Sequence, residues 1–152
     1  MHSGHRPRFL CDNNLGRLAK WLRILGFDTL YMKSMREDII EEERLAGRII
    51  LTRSGKLSSQ KGYFLIKSDH IAEQIKEVND KFLLDKQLKP FSLCFICNES
   101  LISTDNLKAN GRVPEYVLST VGSFRNCPNC NRFYWQGSHI KRVTEIIQNL
   151  LE

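Results

Sequence analysis

The sequence has no apolar run approaching the roughly 20 residues that span a bilayer. A membrane partner is therefore not expected. No low-complexity tract is present, and the only internal likeness is a pair of matching Cys-x-x-Cys segments. Residues 1–7 carry two His and one Arg but no apolar segment, so they do not read as a secretory signal. They are also too short, and lack the amphipathic Arg/Ser pattern, for an organelle transit peptide. Cysteine is scarce and odd in number, five in 152 residues. A secreted disulfide framework favours an even count with spread spacings. Here four cysteines form the two pairs and Cys11 stands apart, so the expected setting is intracellular and reducing, the cytoplasm first, with an organelle left open.

What is present fits one ordinary domain or two small ones. Hydrophobic residues make up 41% of the chain, enough for a packed core. Acidic residues number 17 against 23 Lys and Arg, a net charge of +6. That excess serves solubility and equally suits a polyanion such as nucleic acid.

The first 85 residues alternate strand and helix signals. Arg8 to Cys11 is a short apolar strand ending at Asp12, with Asn13 and Asn14 placed to cap a helix. Leu15, Leu18, Leu22 and Leu25 recur at helical spacing up to a stop at Gly26. Phe27 to Met32 reads as a strand and Ser34 to Ala46 as a charged helix stopped by Gly47. Arg48 to Thr52 is the clearest strand. After a polar loop, Tyr63 to Lys67 is another, and Ser68 or Asp69 caps a helix through Phe82. Strands joined by such helices imply right-handed crossovers and a parallel sheet covered on both faces. The expectation is a three-layer α/β/α domain over 7–85, with its functional residues at the carboxyl ends of the strands. A polar linker ending at Pro90 follows. A second unit spans 91–152 and closes with a terminal helix, whose apolar positions run from Ile140 to Leu151 behind a Ser138 cap.

Cys94-x-x-Cys97 and Cys127-x-x-Cys130 each put two thiolates on a tight turn, and two such turns make a four-cysteine zinc ribbon. The 29 residues between the pairs, 98–126, close readily because closure entropy grows slowly with length. Asn98, Pro128, Asn129 and Asn131 suit knuckles that donate backbone N–H groups to sulfur. The rival readings are disulfides, a redox pair or an iron–sulfur cluster. A redox pair belongs at the start of a helix, whereas both pairs lie in turn-rich sequence. Four thiolates leave zinc no open position, so it would be structural. Cys11 reads as a small core residue.

Asp12, at the end of a strand, occupies a common place for a functional carboxylate, although it also suits a helix cap. Asp38, Glu41 and Glu42 share a helix face, flanked by Glu37 and Glu43. Turned toward Asp12 they would suit Mg²⁺ or Mn²⁺; otherwise they are a solvated face. Arg17, Lys20 and Arg23, with Arg53 and Lys56, suit either phosphate binding or surface solubility. Phe133, Tyr134 and Trp135 suit base stacking, and better suit the small core of a ribbon. His139 is either a polar contact at the helix start or a substrate ligand.

The stretches Phe9–Thr29, Gly47–Ser54, His70–Val78, the two cysteine pairs and Tyr134–His139 together resemble the Mut7-C RNase family, a PIN-like nuclease domain followed by a zinc ribbon. The resemblance runs from about Phe9 to Arg142. It implies a PIN-like fold and metal-dependent cleavage of RNA. It makes Asp12 the first catalytic acid and points to the following charged helix for the second, with Asp38 first and Glu37 or Glu42 as alternatives. The family's next acid ends an LTRD motif, where this chain reads LTRS with Ser54. A neutral hydroxyl does not replace a carboxylate at a divalent metal. Two functions follow. One is a metal-dependent ribonuclease in which Arg17, Lys20 and Arg23 hold phosphates. The other is a non-catalytic RNA-binding or ribonucleoprotein module with a degenerate site. A protein-interaction module acting through the ribbon is a third.

Overall fold

The computed structural model describes residues 6–135 and 138–151. The Ser138 cap and both readings of His139 concern side chains outside that description.

Four strands, β1 (Phe9–Cys11), β2 (Thr29–Tyr31), β3 (Ile49–Thr52) and β4 (Tyr63–Leu65), form a parallel sheet in the order β2-β1-β3-β4. Helices α1 (Gly16–Ile24), α2 (Glu37–Leu45) and α3 (Ile71–Phe82) connect them. Side chains alternate across the sheet, as the period of a strand requires. Phe9, Cys11 and Leu51 meet Leu18, Leu22, Ile75 and Val78 of α1 and α3 on one face. Leu10 and Ile50 meet Ile40 of α2 on the other. This is the expected three-layer α/β/α arrangement, consistent with a PIN-like domain.

Both predicted glycine stops are real. At the end of α1, Gly26 N donates to Arg23 O and Phe27 N to Leu22 O, and Gly26 has φ +101°. Gly47, at φ +103°, repeats the pattern after α2. These are Schellman closures, which need a left-handed residue at that point. The helix starts differ from expectation. No side chain caps α1; instead Asp12 Oδ1 accepts from Asn14 N at 3.0 Å, an Asx turn that ties down the carboxylate.

The connecting stretch is held against α1. Lys89 N donates to Leu25 O and Phe91 N to Ile24 O, and Leu88 and Phe91 pack on the first core. Beyond it, β5 (Ile102–Thr104), β6 (Phe124–Asn126) and β7 (Phe133–Tyr134) form an antiparallel sheet. Two short helices, α4 (Asn106–Ala109) and α5 (Glu115–Thr120), lie between β5 and β6 where only turns were expected; four to six residues are too few to show a helical period. Ala109, Val117 and Phe124 form a small core with Phe133 and Trp135 against it, so these two aromatics serve the ribbon. The terminal helix α6 (Ser138–Leu151) returns to the first core through Val143 and Ile146.

Candidate active edge and four-cysteine centre

The chain leaves β1 toward β2 on one side, and β3 and β4 lie on the other, so the strand order reverses between β1 and β3. In open parallel sheets the carboxyl ends at that point frame the binding crevice. Asp12 sits there, only 4% exposed. Its Oδ2 accepts from Thr52 Oγ1 at 2.8 Å and from Arg53 N at 3.2 Å, and its Oδ1 from Asn14 N. A carboxylate offers about four lone-pair sites. Three donors fix its orientation and leave one site, on Oδ1. Thr52 was not anticipated. Its signal was a lone polar residue closing the apolar IILT strand.

Ser54 lies two residues beyond Thr52. Its N–H donates to Thr52 Oγ1 at 3.0 Å, and its hydroxyl accepts from Leu57 N at 3.3 Å at the start of a one-turn 3₁₀ segment. The side chain thus closes a turn. Asp38 lies in the first turn of α2, which starts from the carboxyl end of β2, the same edge as Asp12. It is exposed and pairs with Arg36 at 3.0 Å, an interaction that holds its carboxyl below the usual range. Glu41 pairs with Arg44, and Glu43 with the buried Arg48 at 3.1 Å. Glu37 and Glu42 carry no ion pair among the described residues. Asp69 is exposed beside His70.

The basic residues divide in two. Arg17 and Lys20 are exposed on α1. Arg23 and Arg53 are engaged with backbone. Arg23 Nε donates to Thr29 O at 2.8 Å and Nη1 to Phe95 O and Ile96 O at 3.1 Å, and burial lowers its pKa. Arg53 Nη1 donates to Lys67 O at 2.9 Å and to Ser68 O, joining the loops after β3 and β4.

The four expected cysteines come together, with all four sulfurs within 4.8 Å of one another. A tetrahedral site with bonds of about 2.3 Å has edges near 3.8 Å; Cys94 and Cys130 sulfurs lie 3.7 Å apart. The two knuckles match. Cys97 N and Cys130 N donate to the preceding sulfurs, each at 3.4 Å. Asn98 and Asn131 follow at φ 63° and 64°, each donating its N–H to the first cysteine's carbonyl at 2.8 Å. The Tyr134 hydroxyl lies 2.9 Å from Cys94 Sγ. Burial pushes the Cys127 thiol up to about 11. At Cys130 burial also acts upward but is outweighed, chiefly by hydrogen bonds from Arg132, and the thiol falls to about 6. The centre could hold a metal ion such as zinc. Among the described residues it is the one group of three or more metal-ligating side chains. Cys11 is buried in the sheet, and burial, with Asp12 beside it, drives its thiol far upward.

A three-layer domain with a buried acid at its switch point is joined to a four-cysteine ribbon that could hold a metal ion. The Mut7-C RNAse domain model matches residues 7–147, and the chain belongs to that family. At family level this supports a ribonuclease-type role with RNA as substrate or partner. No curated protein and no solved structure matches the chain. No helix among the described residues is long and apolar enough to cross a membrane.

Proposed function

We propose that the protein is a metal-dependent ribonuclease that hydrolyses RNA phosphodiester bonds at the carboxyl edge of its parallel sheet. The observation that carries the reading is Asp12: buried at the strand-order reversal, fixed by three donors and left with one lone-pair site. Mg²⁺ is commonly held by one or two carboxylates together with water and substrate phosphates. Asp12 and Asp38 supply those carboxylates, and a bound ion supplies charge stabilisation and an activated water. Arg17 and Lys20 offer charge to phosphates. Arg53 holds the backbone framing the carboxyl edge, whereas Arg23 is engaged at the amino edge of the sheet. Zinc on the four cysteines is structural, and the free thiols suit a reducing, intracellular setting.

The specific observation favouring a second reading is Ser54, whose hydroxyl closes a turn where the family has an acid. Under that reading the chain binds RNA, alone or in a ribonucleoprotein assembly, without cutting it. Cleavage of a labelled single-stranded RNA with Mn²⁺ or Mg²⁺ separates them. The nuclease reading expects cleavage by the native protein that Asp12→Asn abolishes. Native silence with activity appearing in Ser54→Asp establishes the binding module. Cleavage undiminished in Asp12→Asn refutes the assignment of Asp12.

A further inference from the structure

Between α1 and the ribbon lies a groove of about 1300 Å³. That exceeds the roughly 300–1000 Å³ of small-molecule sites. One wall is α1, with Arg17 and Lys20; the other combines α5 and the second knuckle, with Tyr116, Arg112 and Arg132. Among the described residues, four lining side chains are cationic and none is Asp or Glu. Cys130 also lines the groove and is hydrogen-bonded by Arg132, which leaves Arg17, Lys20 and Arg112 as the cations facing a polyanion.

The apolar lining mixes aliphatic and aromatic side chains. Tyr116 is 71% exposed, so its ring is open to a ligand. Phe95 lies under the Lys20 ammonium, 4.8 Å from the ring centroid, and the Tyr134 ring meets Phe95 edge-on at 5.5 Å. Cations alternating with aromatic faces are the chemistry that grips single strands: the charges follow the backbone while unstacked bases lie on the rings. A duplex presents no free base faces to such a lining.

We propose that this groove is a binding track for single-stranded RNA, with Tyr116 as a base-stacking residue and Arg17 and Arg112 as phosphate contacts on opposite walls. The proposal rests on the reading of the protein as RNA-acting, and extends it from the sheet edge to the ribbon. Arg17 lies in the first turn of α1, close behind Asp12 in sequence, so one strand can pass from the acid into the track.

The test is fluorescence anisotropy of a labelled oligouridylate of about twelve nucleotides, with the zinc-loaded full chain and no Mg²⁺ or Mn²⁺, so that binding is read apart from cleavage. Tyr116→Ala should weaken binding about tenfold with little change in salt dependence. Tyr116→Phe should bind as the native protein does. Arg17→Gln should weaken binding and lower the slope of log affinity against log salt by about 0.7. Native affinity in both Tyr116→Ala and Arg17→Gln overturns the track alone. Tyr116→Phe as weak as Tyr116→Ala overturns stacking, and tighter binding of a duplex overturns the single-strand assignment. A native protein with no affinity for any RNA overturns the RNA reading and this proposal with it.

Discussion

Asn98 bridges the ribbon to the sheet, and its substitution has a predictable cost. Its Oδ1 accepts from Thr29 N at 3.0 Å and its Nδ2 donates to Asp28 Oδ1 at 2.6 Å. Thr29 is fully buried, so losing the acceptor leaves an unpaired N–H, about 1–3 kcal/mol. Asp28 is 42% exposed by its side chain and keeps Arg48 at 2.9 Å, so the second bond is worth at most about 1 kcal/mol. Asn98 also sits at φ 63°, where alanine costs a further 1–2 kcal/mol, roughly, and glycine nothing steric. Asn98→Ala should therefore lose about 4 kcal/mol and Asn98→Gly about 3 kcal/mol. Asn98→Asp keeps an acceptor for Thr29 but sets two carboxylates together, and should lose about 2 kcal/mol. Urea unfolding at a fixed excess of free zinc measures all three, since metal binding is linked to folding. If Asn98→Gly unfolds within about 0.5 kcal/mol of native, the bridge carries nothing. If Asn98→Ala and Asn98→Gly coincide, the left-handed backbone is not the constraint argued here.

Gly26→Ala places a Cβ 2.4 Å from Lys89 O at φ +101°, so it should lose about 3 kcal/mol or more in the same assay, whereas Gly55→Ala, with nothing within 4 Å, should be nearly neutral. Zinc affinity should fall as pH falls, because the metal must displace the proton that Cys127 retains up to about pH 11. The fall should steepen below about pH 6, where Cys130 also protonates; competition with a chromophoric chelator reads the slope, and an affinity that rises on acidification refutes it.

The parallel sheet was legible because its central strands are unbroken apolar runs, FLC and IILT, and its helix ends because a Schellman closure demands glycine. The four cysteines were legible because each knuckle is local in sequence. What escaped is non-local. Arg23 fits a phosphate-binding stripe at i, i+3 and i+6, yet its acceptors Phe95 O and Ile96 O lie more than 70 residues away, beyond any local pattern. Arg48 reads as the first residue of a strand; the structure buries it among Asp28, Glu43 and Phe9 O. Leu83 and Phe91 take left-handed conformations that neither residue type announces.

These contacts separate stability from chemistry. Arg23 and Asn98 tie the first knuckle to the end of α1 and the start of β2, the amino edge of the sheet. The donors to Asp12 come from Asn14, Thr52 and Arg53, and none comes from the ribbon. The four-cysteine centre and the acid therefore lie toward opposite ends of α1, a nine-residue helix about 13 Å long. The groove is lined at one end by Cys130 and at the other by Arg17, in the first turn of α1. Ser54 is not among the residues lining the groove, so its identity bears on the sheet edge rather than on the groove. Under the proposed reading, the nuclease and the binding module share one track and differ in whether a divalent ion is held at Asp12.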